Sequence, residues 1–237
     1  MEIFGLNNEE LIKAIKERHS VRSYHGDKII EPEKIQRIKD AIEQINSENT
    51  ALSFRLVTEE PRAFGGRWAS YGNFKGVNNY IVIAGNKEKT VDFDCGRKGE
   101  ELVLLIQHLG MNTCWVGLTY KKIEGAFEIG KNDTIRCVIA FGYGEDVAGR
   151  SHKIKTPEQV SNIEESSPSW FKKGIEMALL APTAVNQQKF FFKYMGEDTV
   201  KAIHRPSLIG YSRIDLGIAA THFLIGADNN KINLEIS

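Results

Sequence analysis

The stretch IRCVIAFGYG, Ile135 to Gly144, reads as a central β-strand, because β-branched and apolar residues run unbroken into glycines that end it. Around it lie three more extended runs: LSFRLV (Leu52–Val57), YIVIAG (Tyr80–Gly85) and TCWVG (Thr113–Gly117). Between the last two, CGRKGEELVLLIQHLG has the period of an amphipathic helix and stops at Gly110. Upstream, NNEELIKAIKERHS predicts a short helix capped by Asn7 or Asn8, with Leu11, Ile12 and Ile15 apolar. EPEKIQRIKDAIEQIN predicts a second helix, with Pro32 in its first turn and Ile35, Ile38, Ala41, Ile42 and Ile45 on one face. Downstream, SWFKKGIEMALLAP is a helix stopped by Pro182, KFFFKYM a strand, IDLGIAATHFLIGADN a helix and KINLEI a closing strand. Strict strand–helix–strand alternation is absent. The order therefore predicts an α+β fold, with a mostly antiparallel central sheet flanked by helices.

The two parts of the chain echo each other. Ile38, Ala41, Ile42 and Phe54 correspond to Ile175, Ala178, Leu179 and Phe191 at one constant offset, and Asp94/Gly96 correspond to Asp215/Gly217. Two degenerate half-repeats about an internal pseudo-two-fold follow from that pattern. The first half would span 1–148 and a shorter second half 169–237. The polar segment 149–168 between them reads as a basic linker.

Composition narrows the function. Acidic and basic residues balance at 31 each, so no global charge points to nucleic acid or an anionic membrane. No apolar run reaches the ~20 residues of a membrane span, and the N-terminus does not read as a signal peptide. Three cysteines without CxxC spacing and scattered histidines point to a reducing, cytoplasmic setting and to no metal site. Walker A, GxGxxG and serine-elbow patterns are absent, so the reactive group of an enzyme here would come from a cofactor.

Five stretches carry candidate chemistry. In RHSVR, Arg18, Ser20 and Arg22 alternate; extended, they share one side and suit a phosphate dianion, while on a helix end they are simply solvated. LLAPTAVNQQKF combines a helix stop, small residues and the carboxamides of Asn186, Gln187 and Gln188, which suit a heterocycle edge or an ordinary turn. GMNTCWVG holds Cys114 in apolar company, which favours an inert thiol. SYGNFKGVNN offers Gly72, Asn73 and Lys75 on a loop, and GRSHKIKTP gathers Arg150, His152, Lys153 and Lys155.

Taken together, the five stretches resemble motifs of the FMN-dependent nitroreductase family, most closely its single-chain branch with two fused half-repeats. RHSVRSY is similar to the opening Arg-Arg/His-Ser-x-Arg/Lys motif, APTAVNQQ to Ala-Pro-Ser-x-x-Asn-x-Gln, and TCWVG to Thr-Cys-Trp-x-Gly. The resemblance implies a nitroreductase-like fold that binds FMN. Arg18, His19, Ser20 and Arg22 would hold the phosphate and ribityl, with Arg150, Lys153 and Lys155 adding phosphate contacts. Pro182, Thr183, Ala184, Asn186 and Gln188 match the segment that ordinary members contribute from a partner subunit. Gly72 and Asn73 would run along the ring, and Val116 and Gly117 would offer backbone groups to it. It further implies NADH or NADPH as donor and ping-pong hydride transfer through the flavin N5 to a nitroaromatic or quinone-type small molecule. No side chain is implied as a catalytic acid or base. Lys189 and Phe190 stand where the family has Pro-Trp. That departure leaves two alternatives open: flavin binding without turnover, or another flavin chemistry such as flavin fragmentation or reductive dehalogenation. One chain as an internal pseudo-dimer, or a homodimer, would complete the site.

Overall fold

A computed structural model describes residues 1–48, 51–66, 73–88, 90–145 and 153–237. The elements are α1 (Asn8–Glu17), α2 (Pro32–Glu48), β1 (Leu52–Val57), β2 (Asn79–Gly85), α3 (Val91–His108), β3 (Asn112–Val116) and β4 (Thr134–Gly142). They continue with the single turn α4 (Pro157–Val160), α5 (Ser169–Ala178), β5 (Phe190–Gly196), β6 (Thr199–His204), α6 (Ser212–Ala227) and β7 (Asn233–Ile236).

Two compact units interleave along the chain rather than follow one another. One contains Arg18–Val91 and Leu102–Arg150; the other contains Met1–Glu17, Asp92–Glu101 and Ser151–Ser237. Helix α3 belongs to both, its first part to the second unit and its last part to the first. It is buried around most of its circumference, as a helix enclosed by other elements must be.

The first unit is built on a four-stranded antiparallel sheet in the order β1-β2-β4-β3. Strands β2 and β4 lie at its centre, and Val82, Ile83, Val138, Ile139 and Ala140 are fully buried, which explains their unbroken apolar sequences. Helix α2 buries Ile38, Ala41, Ile42 and Ile45. Asn46 then clamps the chain that follows: its Nδ2 donates to the Phe54 carbonyl (3.0 Å) and its Oδ1 accepts from the Phe54 N–H (2.8 Å).

The second unit carries a three-stranded sheet, β5-β6-β7, antiparallel between β5 and β6 but parallel between β6 and β7. Strand β6 is not foreseen from the sequence. TVKAIH buries only Val200 and Ala202, and its period-two signal is too short to stand out. The segment read as a linker is mostly exposed from Lys153 to Gln159 and joins the core after that. Val160 and Ser161 are buried, and Asn162 clamps Tyr194 through its N–H (2.7 Å) and carbonyl (3.1 Å). Phe192 stacks on Phe223 at 4.7 Å, and Phe171 meets Phe223 edge-on, forming the aromatic core. Asn7 caps α1 by accepting from the Glu9 and Glu10 N–H groups, and Glu10 reaches back to the Asn7 N–H.

The first part of α3 crosses α6 at two glycines. A Cβ on Gly96 would lie 2.0 Å from the Ile214 carbonyl oxygen, and one on Gly217 would lie 2.1 Å from the Phe93 carbonyl oxygen. The contact is reciprocal, since Ile214 precedes Gly217 by the same interval as Phe93 precedes Gly96. These are the glycines of the sequence echo, and each is needed because the opposing backbone leaves no room for a side chain. Beyond the crossing, Glu100 and His222 are fully buried and bonded to each other at 2.8 Å.

Either Gly96→Ala or Gly217→Ala should therefore force the helices apart and destabilise the protein by about 3 kcal/mol. Urea unfolding would measure it; a loss under about 0.5 kcal/mol would mean that the crossing is loose.

Candidate functional site

The chain leaves α1 at Glu17 and continues as an extended ribbon. The Val21 N–H donates to the Thr113 carbonyl (3.0 Å), so the ribbon lies parallel beside β3. The Lys75 N–H donates to the Arg22 carbonyl and the Tyr24 N–H to the Lys75 carbonyl, both at 2.9 Å. Farther on, the His25 N–H donates to the Tyr143 carbonyl (2.8 Å), and the Glu145 N–H to the Ser23 carbonyl (2.9 Å). Gly76 accommodates this approach: its φ is +67°, and a Cβ there would strike the Tyr24 carbonyl.

Inward, Val21 and Tyr24 join the core with Val57, Tyr80, Val116 and Val138. The Tyr24 hydroxyl donates to the Val21 carbonyl at 2.6 Å. Outward, Ser20 and Arg22 are exposed, and Arg18 and His19 are half-buried. Arg18, Ser20 and Arg22 all act on one group, the Cys114 thiol of β3. Burial pushes that thiol up, against Arg22, Arg18 and a hydrogen bond with Ser20, which pull it down. Cys114 is buried and stays protonated.

The other sequence candidates of this unit lie at the ends of the strands that flank the ribbon. Val116 is a core residue, so only its backbone could face a ligand; Gly117 follows it, half-buried. Asn73 is exposed and left-handed (φ 55°), next to Phe74, which packs edge-on against Phe64. The Lys75 ammonium pairs with Glu145 at 3.0 Å. Gly72, Arg150 and His152 lie outside the described residues.

In the other unit, Pro182 to Gln188 form a tight loop around a 3₁₀ turn at Ala184–Asn186. Val185, Asn186 and Gln188 all have positive φ (46°, 54° and 45°), and Val185, β-branched, is 75% exposed. The Gln188 N–H donates to Thr183 Oγ1 (3.0 Å). Gln188 itself is only 1% exposed: its Nε2 donates to the Leu179 carbonyl (3.1 Å) and its Oε1 accepts from the Lys155 N–H (2.9 Å). Its carboxamide is thus engaged inside the unit and shapes the loop rather than faces a ligand. Asn186 Nδ2 likewise donates to the Lys153 carbonyl (2.9 Å).

Lys155 Nζ donates to the Gln188 carbonyl (2.6 Å). Burial first, then the positive charges of Lys189 and Arg205, hold its ammonium below the usual lysine range. Lys189 and Arg205 are cations of this corner that the motif did not bring forward. Arg205 also lies 4.6 Å over the Phe191 ring.

The chain matches, over residues 10–227, the family described as "Putative TM nitroreductase". It belongs to that family. A crystal structure of a "putative nitroreductase" from Thermotoga maritima is similar at TM-score 0.63 and 23% identity, over 93% of this chain and 85% of that one. A nitroreductase with bound FMN from Desulfitobacterium hafniense is similar at TM-score 0.51 and 18% identity, over 67% of this chain and all (100%) of the other. A "putative nitroreductase" in complex with FMN from Desulfovibrio desulfuricans gives TM-score 0.51 and 19% identity over 67% and 98%. These likenesses establish the nitroreductase fold. No curated protein matches the chain. Among the described residues, no helix is long and apolar enough to cross a membrane.

In this nitroreductase-family chain, the loop rests on a residue that motif reading passed over. Asp215, in the first turn of α6, is 2% exposed. Its Oδ1 accepts from the Ala184 N–H (2.9 Å) and its Oδ2 from Gln187 Nε2 (2.7 Å). Burial pushes its carboxyl up to about 6, against those two hydrogen bonds. The available signal was a lone acid opening an otherwise apolar helix, DLGIAATHFLIGA.

A carboxyl whose folded pKa is raised favours the folded state while protonated. Its contribution is complete below about pH 4 and is lost as pH rises through about 6. Ionised Asp215 should then cost about 3 kcal/mol, at ~1.4 kcal/mol per unit. Urea unfolding between pH 4 and 7 should show this decline in the wild type and lose that component in Asp215→Asn; parallel curves would refute it.

Proposed function

We propose that this protein is an FMN-dependent oxidoreductase that reduces nitroaromatic or quinone-type acceptors with NADH or NADPH. The observation that carries this reading is the basic ribbon, where Ser20 and Arg22 are exposed, Arg18 is half-buried and all three act on the Cys114 thiol. The fit to FMN rests on chemistry: two guanidiniums and a hydroxyl offer charge-assisted donors in the geometry a phosphate monoester accepts. Family membership and FMN-bound neighbours of the same fold support it.

When bound, FMN supplies reversible hydride chemistry; the protein supplies binding and orientation. Arg18, Ser20 and Arg22 would hold the phosphate, with His19 beside the ribityl. Lys153 and Lys155, and Arg150, would add positive charge from the second basic stretch. The backbone of Val116 and Gly117 would meet the polar edge of the ring, and Gly72 and Asn73 would run alongside it. Pro182, Thr183, Ala184 and Asn186 would supply the further FMN contacts that the motif implies, and Gln188 would shape their loop from within. No side chain is assigned a proton-transfer role. Donor and acceptor would occupy the exposed face in turn.

The reciprocal Gly96–Gly217 contact favours two degenerate half-repeats, with one chain doing the work of an ordinary dimer. Three free cysteines, Cys95, Cys114 and Cys137, accord with a cytoplasmic setting.

Purified protein should be yellow, release FMN on denaturation, and oxidise NADH or NADPH when a nitroaromatic is added. Colourless protein that FMN cannot reconstitute would overturn the proposal. Arg18→Ala and Arg22→Ala should each weaken FMN binding by about 10–100-fold, the equivalent of roughly 1.5–3 kcal/mol. Flavin fluorescence titration of the apoprotein measures this, and unchanged affinity in both variants would place the phosphate elsewhere.

A further inference from the structure

The Pro182–Gln188 loop is held in a conformation that its own residues disfavour. Val185 and Gln188 occupy the left-handed region, which side chains rarely adopt, and a β-branched residue there is a clear outlier. Such a backbone persists only where its surroundings over-determine it. The surroundings here are few and polar. Asp215 accepts the Ala184 N–H at the start of the turn. Gln187 connects Asp215 to a second loop: its Nε2 reaches both Asp215 Oδ2 and the Gly210 carbonyl (3.2 Å), while Ser207 Oγ donates to its Oε1. Tyr211, also left-handed (φ 61°), turns that second loop into α6, which brings Asp215 back under the first. One buried carboxylate and one carboxamide therefore lock both loops to the start of α6.

We propose that Asp215 is a positioning residue which, through Gln187, holds the Pro182–Gln188 loop in its strained form and so pre-shapes a segment that the family motif assigns to FMN. This rests on the functional reading above. A carboxylate costs more to bury than an amide or an apolar side chain would, so its place here is accounted for by what it holds rather than by stability. Only an acceptor-only group satisfies both donors at once, because an amide in its place would turn an N–H₂ toward the Gln187 N–H₂.

The test uses the full-length apoprotein with Asp215→Asn and Asp215→Ala. The first keeps one accepting oxygen and the second keeps none. Amide hydrogen exchange should speed up across residues 183–188 by at least tenfold in Asp215→Ala, and less in Asp215→Asn. At pH 7.5 the melting temperature of Asp215→Asn should equal or exceed the wild type, because a buried charge has been removed. FMN affinity by fluorescence titration should fall about tenfold in Asp215→Ala. Gln187→Leu, which leaves the carboxylate in place, should reproduce the faster exchange. Unchanged exchange at 183–188 in Asp215→Ala would overturn the proposal. So would exchange that rises equally throughout the elements around α6 together with a lowered melting temperature, since that marks an ordinary structural loss. If the wild type does not bind FMN, the functional reading fails alone, and the exchange rates still decide whether Asp215 is the clamp.

Discussion

The backbone pairing of residues 20–25 is the constraint on which the four-stranded unit depends. A single extended ribbon satisfies main-chain groups of β3, of the turn at Lys75 and of the segment at Tyr143–Glu145. None of these places is a regular neighbour in the sheet. Val21 sits in the core between the exposed Ser20 and Arg22, as alternation along an extended chain requires, and Tyr24 re-enters the core three residues on. The charged side is thus set by the apolar one. Hydrophobic burial supplies the energy and hydrogen bonding the register.

The Pro182–Gln188 loop is built on the opposite principle. It has almost no apolar anchor, and its most exposed residue is a valine. It is shaped by polar groups that are mostly internal: Thr183, Gln188 and Asn186 bond to nearby main chain, and Asp215 closes the arrangement. Polar networks of this kind specify one geometry when every member is satisfied and lose it abruptly when one is removed. The ribbon should tolerate changes in its outward residues without unfolding. The loop should be sensitive even to isosteric changes.

Strongly patterned elements were legible in the sequence. The buried strands β2 and β4 announce themselves because both faces are covered, and a continuous apolar run has no other use in a chain of this composition. Strand β6 was hidden because half of its residues are polar and its period-two signal is short. The role of Gln188 within APTAVNQQ was not legible for a physical reason. A carboxamide looks the same in sequence whether it faces a ligand or the loop's own backbone, and Gln188 does the latter. Asp215 was visible as an echo of Asp94, but its task depends on a loop some thirty residues away, which no local pattern encodes.

Helix α3 begins in one compact unit and ends in the other. During translation, its first turns leave the ribosome long before α6 has been made. Until then the Gly96 surface lacks the backbone it is shaped to meet, and Glu100 lacks His222. The four-stranded unit can assemble first from contacts already available, while the first turns of α3, which carry Glu100, still lack their partners. The nascent chain therefore passes through an extended interval in which chaperone binding, or association with another unfinished copy, competes with correct closure.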